Sequence, residues 1–358
     1  MGGELVLVTG GSGFVASYCI ARLLKDGCRV RTTVRSEGKE WQVREQVAAA
    51  GTESGPTLTF VVADLNSDAG WAAAVNGCRY VLHVASPFPL DAPADENDLI
   101  TPAREGTLRV LRAATDAGVE RVVITSSFAA IGYGAHPAEH VFTEADWTDP
   151  DDPEISAYVR SKVLAERAAW DFVAATDGAP ELSVINPTGI FGPVLGLRHP
   201  TSIEIIAALL RRAMPGVPKL WLGVVDVRDL AVLHLAAMTA PEAAGERFLA
   251  VSGPQLSLRD AARLIKLELG DPAAKVPTHT LPSWLIRALA RVSPLARPLV
   301  PELDRIKLLS NAKATGVLGW APRAAEDTIL DTARSLIALE PPDRNGPLLG
   351  AGGSILRA

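Results

Sequence analysis

With 358 residues, 48% of them hydrophobic, the chain is long enough for two domains, or for one large α/β domain with an appended lobe. The 35 Lys and Arg against 41 Asp and Glu leave a formal charge of −6. No basic run offers a phosphate-tracking surface and no apolar run reaches membrane-spanning length, so neither nucleic acid nor a membrane is the expected partner.

The apolar start "ELVLVTG" (4–10) is too short for a signal segment and has no basic flank, and position 6 lacks the Ser or Thr of a myristoylation motif. It reads instead as a first strand, because "LVTGGSGFVASYCIARLL" continues through a glycine turn into an amphipathic helix. Gly10, Gly13 and Ala16 recur at a three-residue spacing. Glycines there let the backbone approach a pyrophosphate, which sits on the N–H groups and positive dipole end of the helix. Thr9, Gly10, Ser12, Gly13, Phe14 and Val15 are the residues expected to hold it; a tight turn without a ligand is the alternative. Cys19, Cys28 and Cys78 are odd in number, show no CxxC spacing and lie in apolar segments, as core thiols of a protein in a reducing cytoplasm would.

The second strand, "RVRTTVR" (29–35), ends in Arg35, where an NAD-specific site places Asp or Glu against the ribose hydroxyls. Lys39 follows four residues later. Two cations suit an adenosine 2′-phosphate, and hence NADP(H), although Glu37 lies between them and a solvated basic patch is the alternative. The third strand, "LTFVVAD" (58–64), delivers Asp64 and Leu65 toward the adenine, while "DLNSD" reads equally as a helix N-cap. The fourth, "YVLHVAS" (80–86), ends in Val84, Ala85 and Ser86, small enough for the backbone to lie against the cofactor. His83 reads as a core residue within that strand.

"PAREGTLRVLRAA" (102–114) is helical and carries Glu105. The fifth strand, "RVVITSS" (121–127), brings Thr125, Ser126 and Ser127 to the same rim, although a strand-ending serine is often only a turn former. "ISAYVRSKVLAERAAWDF" (155–172) then places Tyr158 and Lys162 on one helical face, a spacing that is weak evidence by itself. The last strand candidate, "LSVINPT" (182–188), brings Pro187, Thr188, Gly189 and Ile190 to the rim. Beyond it, helical segments near 202–213, 228–240, 257–269 and 281–292 read as a smaller lobe. The expected architecture is therefore α/β, a Rossmann-type doubly wound parallel sheet over 1–187 with returning segments near 220–252. A C-terminal substrate lobe takes 188–219 and 253–340, and 341–358 reads as a tail outside any site.

Gly10-x-x-Gly13-x-x-Ala16, Ser127 and Tyr158-x-x-x-Lys162 together resemble the extended short-chain dehydrogenase/reductases over nearly the whole chain. Within that superfamily "RVVITSSFAAI", "SAYVRSKVLAERAAWDF", "VINPTGIFGP", "VVDVRDLAVLHLAA" and "SNAKATGVLGWAP" (310–322) look like the dihydroflavonol reductase, cinnamoyl-CoA reductase and yeast-type methylglyoxal/aldehyde reductase group. That resemblance implies an NADP-dependent oxidoreductase in which an Arg and a Lys after the second strand, here Arg35 and Lys39, bind NADP. It also implies that Tyr158 donates a proton to the substrate carbonyl, Lys162 lowers the tyrosine pKa and holds the nicotinamide ribose, and Ser127 orients the carbonyl. Unaided tyrosine, near pKa about 10, needs such help at neutral pH. Ser126 replaces Ser127 if the strand register differs by one. The segment 102–114 has Glu105 and no asparagine where many relatives place a proton-relay residue, so that role is unassigned.

The expected substrate is a small-molecule aldehyde or ketone, in an apolar pocket of Phe88, Phe128, Ile131, Tyr133, Phe191, Leu195 and Trp221, on a monomer or homodimer. Two rivals share the fold or the cofactor. An NAD-dependent nucleotide-sugar epimerase is opposed by Arg35, and a non-catalytic NADP-sensing protein by the presence of Ser127, Tyr158 and Lys162 together.

Overall fold

A computed structural model describes residues 3–86, 95–196, 200–293 and 296–339. Short β-branched runs alternate with helices through the first two thirds of the chain. β1 (Leu5–Val8), β2 (Arg29–Val34) and β3 (Leu58–Val62) are connected by α1 (Phe14–Lys25) and α2 (Glu40–Ala49). The short α3 (Trp71–Val75) leads to β4 (Tyr80–His83), and α4 (Asn97–Asp116) to β5 (Arg121–Thr125). A two-residue strand, β6 (Val141–Phe142), precedes α5 (Ala157–Ala175) and β7 (Glu181–Pro187).

After β7 come β8 (Gly189–Phe191), α6 (Thr201–Leu210), β9 (Trp221–Leu222), β10 (Val224–Asp226), α7 (Val227–Thr239) and β11 (Glu246–Ala250). The chain ends its described part with β12 (Leu256–Ser257), α8 (Leu258–Leu269), α9 (Ser283–Leu289), β13 (Leu308–Leu309), α10 (Ala312–Leu318) and α11 (Ala325–Leu339). The six expected strands all form, each ending up to three residues early, because the residues beyond leave the ladder to build the rim.

Seven strands join in one parallel sheet of order β11-β7-β5-β4-β1-β2-β3. The order reverses between β1 and β4, which opens a crevice at the strands' C-terminal ends. Both faces of the sheet are covered, and the central strands β1, β4 and β5 are accordingly apolar and buried along most of their length, whereas β2 carries Arg29, Arg31, Thr32 and Thr33. Val6, Val8, Leu82, Val123 and Ile185 face the layer of α1, α2 and α7. Leu7, Val81, Val122, Ile124 and Val184 face the layer of α3, α4 and α5. Cys19, Cys28 and Cys78 are free and buried in these layers. Among the described residues no helix is long and apolar enough to cross a membrane.

A second core forms from α6, α8 and α11 around Phe191, Ile203, Ile206, Ile265 and Ile329, and Phe14 packs against both cores. Small strand pairs, β8 with β10 and β9 with β12, lie beside it. Charge also ties this region to the sheet. Arg228 joins the fully buried Asp226 and the half-buried Asp331 at 2.7 Å each, and Arg323 holds Asp229 at 2.8 Å. The "VVDVRD" stretch thus links β10 and α7 to α11 and to the segment just before it through partly buried ion pairs.

Candidate active site

Three glycines shape the turn after β1. Gly10 has φ +69°, and a Cβ there would lie 2.9 Å from the Ala85 Cβ; one on Gly11 would lie 2.4 Å from the Thr32 hydroxyl. The Gly10 N–H donates to Thr33 Oγ1 at 2.8 Å and the Gly13 N–H to the Gly10 carbonyl at 2.8 Å. Gly13 brings no side-chain cap to α1, and the first turn holds no acidic residue. The N–H groups beginning at Phe14 and Val15 therefore form an uncapped helix end beside the exposed Ser12 and Gly13, suited to a pyrophosphate.

Across the crevice, Thr9 is fixed rather than free. Its Oγ1 accepts from the Ala85 N–H at 3.0 Å and is hydrogen-bonded with His83 Nδ1 at 2.9 Å. Burial, aided by the charge of Lys162, pushes His83 down to about 3. Thr125 is similarly occupied. His234 donates from Nδ1 to the Leu230 carbonyl at 2.8 Å and accepts the Thr125 hydroxyl on Nε2 at 2.6 Å, while burial lowers this histidine to about 4. Thr9 and Thr125 thus present backbone, rather than a spare hydroxyl, to the crevice.

Arg35 leaves the end of β2 and Lys39 ends a 3-10 turn over Glu37–Lys39 just before α2. Both are exposed, and neither makes an ion pair with a described residue. Asp64 accepts the Asn66 N–H at 2.8 Å in a turn of its own, whereas α3 is capped by Gly70, so the helix-cap alternative does not hold. Leu65 lies against α4, where a Cβ on Gly106 would come within 2.9 Å of its Cβ. Val84, Ala85 and Ser86 line the rim half-buried. After Pro187, the Thr188 N–H donates to the Ala250 carbonyl and the Gly189 N–H to the Gly223 carbonyl, which carries Ile190 into β8.

The three residues singled out for chemistry come together. Ser156 caps α5 by accepting the Val159 N–H, which starts the helix at the crevice, and Tyr158 lies in its first turn. The Tyr158 hydroxyl is hydrogen-bonded with the side chain of Ser127, whose Oγ also accepts the Ala129 N–H at 3.1 Å. Ser126 instead donates to Glu166 Oε2. The one-residue ambiguity in strand register is thereby resolved geometrically: Ser127 faces Tyr158 and Ser126 faces away.

Lys162 Nζ donates to Ser86 Oγ at 2.8 Å and lies 5.7 Å from the centre of the Tyr158 ring. Burial brings its ammonium down to about 8, with Glu166 pulling upward. Tyr158 differs from the expectation of a pKa lowered by Lys162. Burial raises it, and the hydrogen bond with Ser127 supplies the opposing pull, because the lysine is turned toward Ser86.

The substrate-pocket residues divide. Ile131 and Phe191 are fully buried and Phe128 nearly so; Phe128 packs edge-on against Phe142, and Phe191 belongs to the second core. These three are packing residues, and reducing Phe191 to Ala removes a core side chain rather than a pocket wall. Tyr133, Leu195 and Trp221 are half-buried, Tyr133 packing with Tyr158 against Ile155 and Val159. Phe88 lies outside the described residues. The expected apolar lining is also incomplete, since Lys307 Nζ stands 3.9 Å over the Tyr133 ring and 5.6 Å from that of Phe128, and pairs with Glu302 at 2.9 Å.

Glu105 sits at the surface with Arg104 and Arg112. Sequence reasoning passed over Glu166 and Lys307. The signal for Glu166 was present, one helical turn after Lys162 on the same face of α5. Lys307 gave none, because only the tertiary fold brings it to Tyr133.

Residues 6–250 match the model of the NAD dependent epimerase/dehydratase family. A ketoreductase of Aspergillus niger is 34% identical, over 93% of this chain and 97% of its own. A cinnamoyl-CoA reductase of Medicago truncatula is 36% identical, over 69% of this chain and 76% of its own. Among solved structures, the yeast methylglyoxal/isovaleraldehyde reductase complexed with NADPH superposes with a TM-score of 0.78 at 27% identity, covering 94% of this chain and 99% of that one.

Proposed function

The chain belongs to the NAD dependent epimerase/dehydratase family, and from that premise we propose that it is an NADPH-dependent reductase of aldehydes or ketones in which Tyr158 is the proton donor. The reductases among its relatives, and the NADPH complex among its structural neighbours, support the activity and the cofactor. The observation that carries the reading is the hydrogen bond of Tyr158 with Ser127, with Lys162 one turn further along α5, at the rim that also holds the glycine turn.

NADPH supplies the hydride that reduces the carbonyl carbon. The uncapped end of α1 would hold its pyrophosphate, Arg35 and Lys39 its 2′-phosphate, and Lys162 its nicotinamide ribose. Tyr158 keeps its proton at neutral pH, as even an unshifted tyrosine does, and burial raises its pKa further. It therefore meets a carbonyl oxygen as an acid, and gives up the proton only as negative charge develops there. Ser127 holds that oxygen in line. In the reverse direction the same groups take the proton from an alcohol.

Replacing Tyr158 by Phe removes the proton and leaves the ring. The expected result is a fall in kcat of about 10²- to 10⁴-fold with NADPH affinity nearly unchanged, measured on a panel of aldehydes, ketones, ketoesters and flavonoids. Near-full turnover by Tyr158→Phe refutes the assignment. A wild-type protein inert across the panel favours an NADP-binding regulator instead.

A further inference from the structure

Lys162 borders a cavity of about 20 Å³ together with His83, Ser86, Thr107, Ser126 and Glu166, room for about one water molecule. Glu166 is fully buried, and donors hold both of its oxygens: Arg247 Nε at 2.6 Å on one, Asn186 Nδ2 at 2.7 Å and the Ser126 hydroxyl on the other. Arg247 lies flat on Trp147, 3.7 Å from the ring centre, and also donates to the Glu144 and Asp146 carbonyls. Asn186 reaches the Ser127 carbonyl as well, so one carboxylate organises the strand end that carries the catalytic serine.

We propose that Glu166 is a positioning residue for the reduction: across the small cavity it supplies the negative charge that keeps the buried Lys162 ammonium protonated. The proposal rests on the role given to Lys162 above. Burial alone drives a lysine toward its neutral form, which cannot hold a ribose as a cation. The groups facing Lys162 leave few candidates for the opposing charge. Its own helix contributes Tyr158, neutral at rest, and Glu166; β4 contributes His83, neutral through burial; β5 and α4 contribute only the hydroxyls of Thr125, Ser126 and Thr107. Glu166 is the one carboxylate among the described residues lining the cavity. Arg247 holds it in place from β11 and reduces its field without removing it.

The test is an NMR titration of ¹³Cε-labelled lysine in the intact, cofactor-free protein, with the Lys162 signal assigned from a Lys162→Arg spectrum. Wild-type Lys162 is expected to titrate near 8, and Glu166→Gln to move that titration to acid by about one pH unit or more. Ser126→Ala, which keeps the carboxylate, should leave it in place. An unchanged titration in Glu166→Gln overturns the proposal, as does an equal shift in Ser126→Ala, which would mark a general loosening of the network. If Glu166→Gln does not fold, Glu166→Asp must show a smaller shift in the same direction, and no shift overturns the idea. The alkaline limb of kcat/KM for NADPH-driven reduction should move with the titration. The two readings fail separately: full turnover by Tyr158→Phe defeats the catalytic assignment, whereas the lysine titration is read without turnover.

Discussion

Lowering the pH should loosen this protein through two neutral histidines. His83 and His234 are each fully buried, with native values of about 3 and about 4 against about 6.5 in an unfolded chain. Both folded values are depressed. Their contribution is therefore complete above about 6.5 and is lost as the pH falls toward the native values, because the unfolded chain takes up protons that the folded one refuses. For each histidine, the difference in proton uptake between pH 7 and pH 5 comes to about 2 kcal/mol. Two such residues make about 4 kcal/mol, a large share of a typical total of about 5–15 kcal/mol. Urea unfolding at pH 7, 6 and 5, extrapolated to water, measures the loss. In His234→Gln the drop between pH 7 and pH 5 should shrink by about 2 kcal/mol, whatever the substitution costs at pH 7. A drop equal to the wild type's would show that His234 does not titrate in this way, and would undo the assignment of its Nε2 as acceptor for Thr125.

Arg35 and Lys39 make no ion pair with the described residues and are expected to grip a 2′-phosphate. Arg35→Ala should lower the NADPH-over-NADH ratio of kcat/KM by about ten- to a hundredfold, and equal use of both cofactors by the wild type would refute the reading. Lys307→Met should raise kcat/KM for carbonyls with aliphatic or aromatic arms relative to those with polar arms, with the KM for NADPH unmoved; an unchanged substrate ranking would place the Lys307–Glu302 pair outside the pocket.

The sheet was legible because a parallel strand buried on both faces leaves a continuous apolar run, and because Gly10 and Gly13 announce a turn that few other residues can make. Local spacing and strand ends singled out Tyr158, Lys162 and Ser127, which the fold brings to one rim. Ile131 and Phe191, expected in the pocket wall, are buried, and the physical reason that sequence could not place them is that an apolar residue near a strand end has the same signature whether it lines a cleft or fills a core. Glu166, Lys307 and His234 escaped because their importance lies in partners 40 or more positions away, as with Glu166 against Ser126 and Arg247, Lys307 against Tyr133, and His234 against Thr125. Periodicity within a segment carries no record of such distant pairings.

The two separately packed cores, joined at Phe14 and by the Asp226–Arg228–Asp331 bridge, bear on how the chain can change over generations. Substitutions in residues that share no partners add nearly independently, so the helices around Ile203, Ile265 and Ile329 can accumulate changes without disturbing the packing beneath the glycine turn. Laboratory selection for a new substrate could draw on α6, α8 and α11 as one library while the sheet stays constant. Variation at Arg228 would be the exception, because its guanidinium bridges the fully buried Asp226 to Asp331 and its loss is felt on both sides at once.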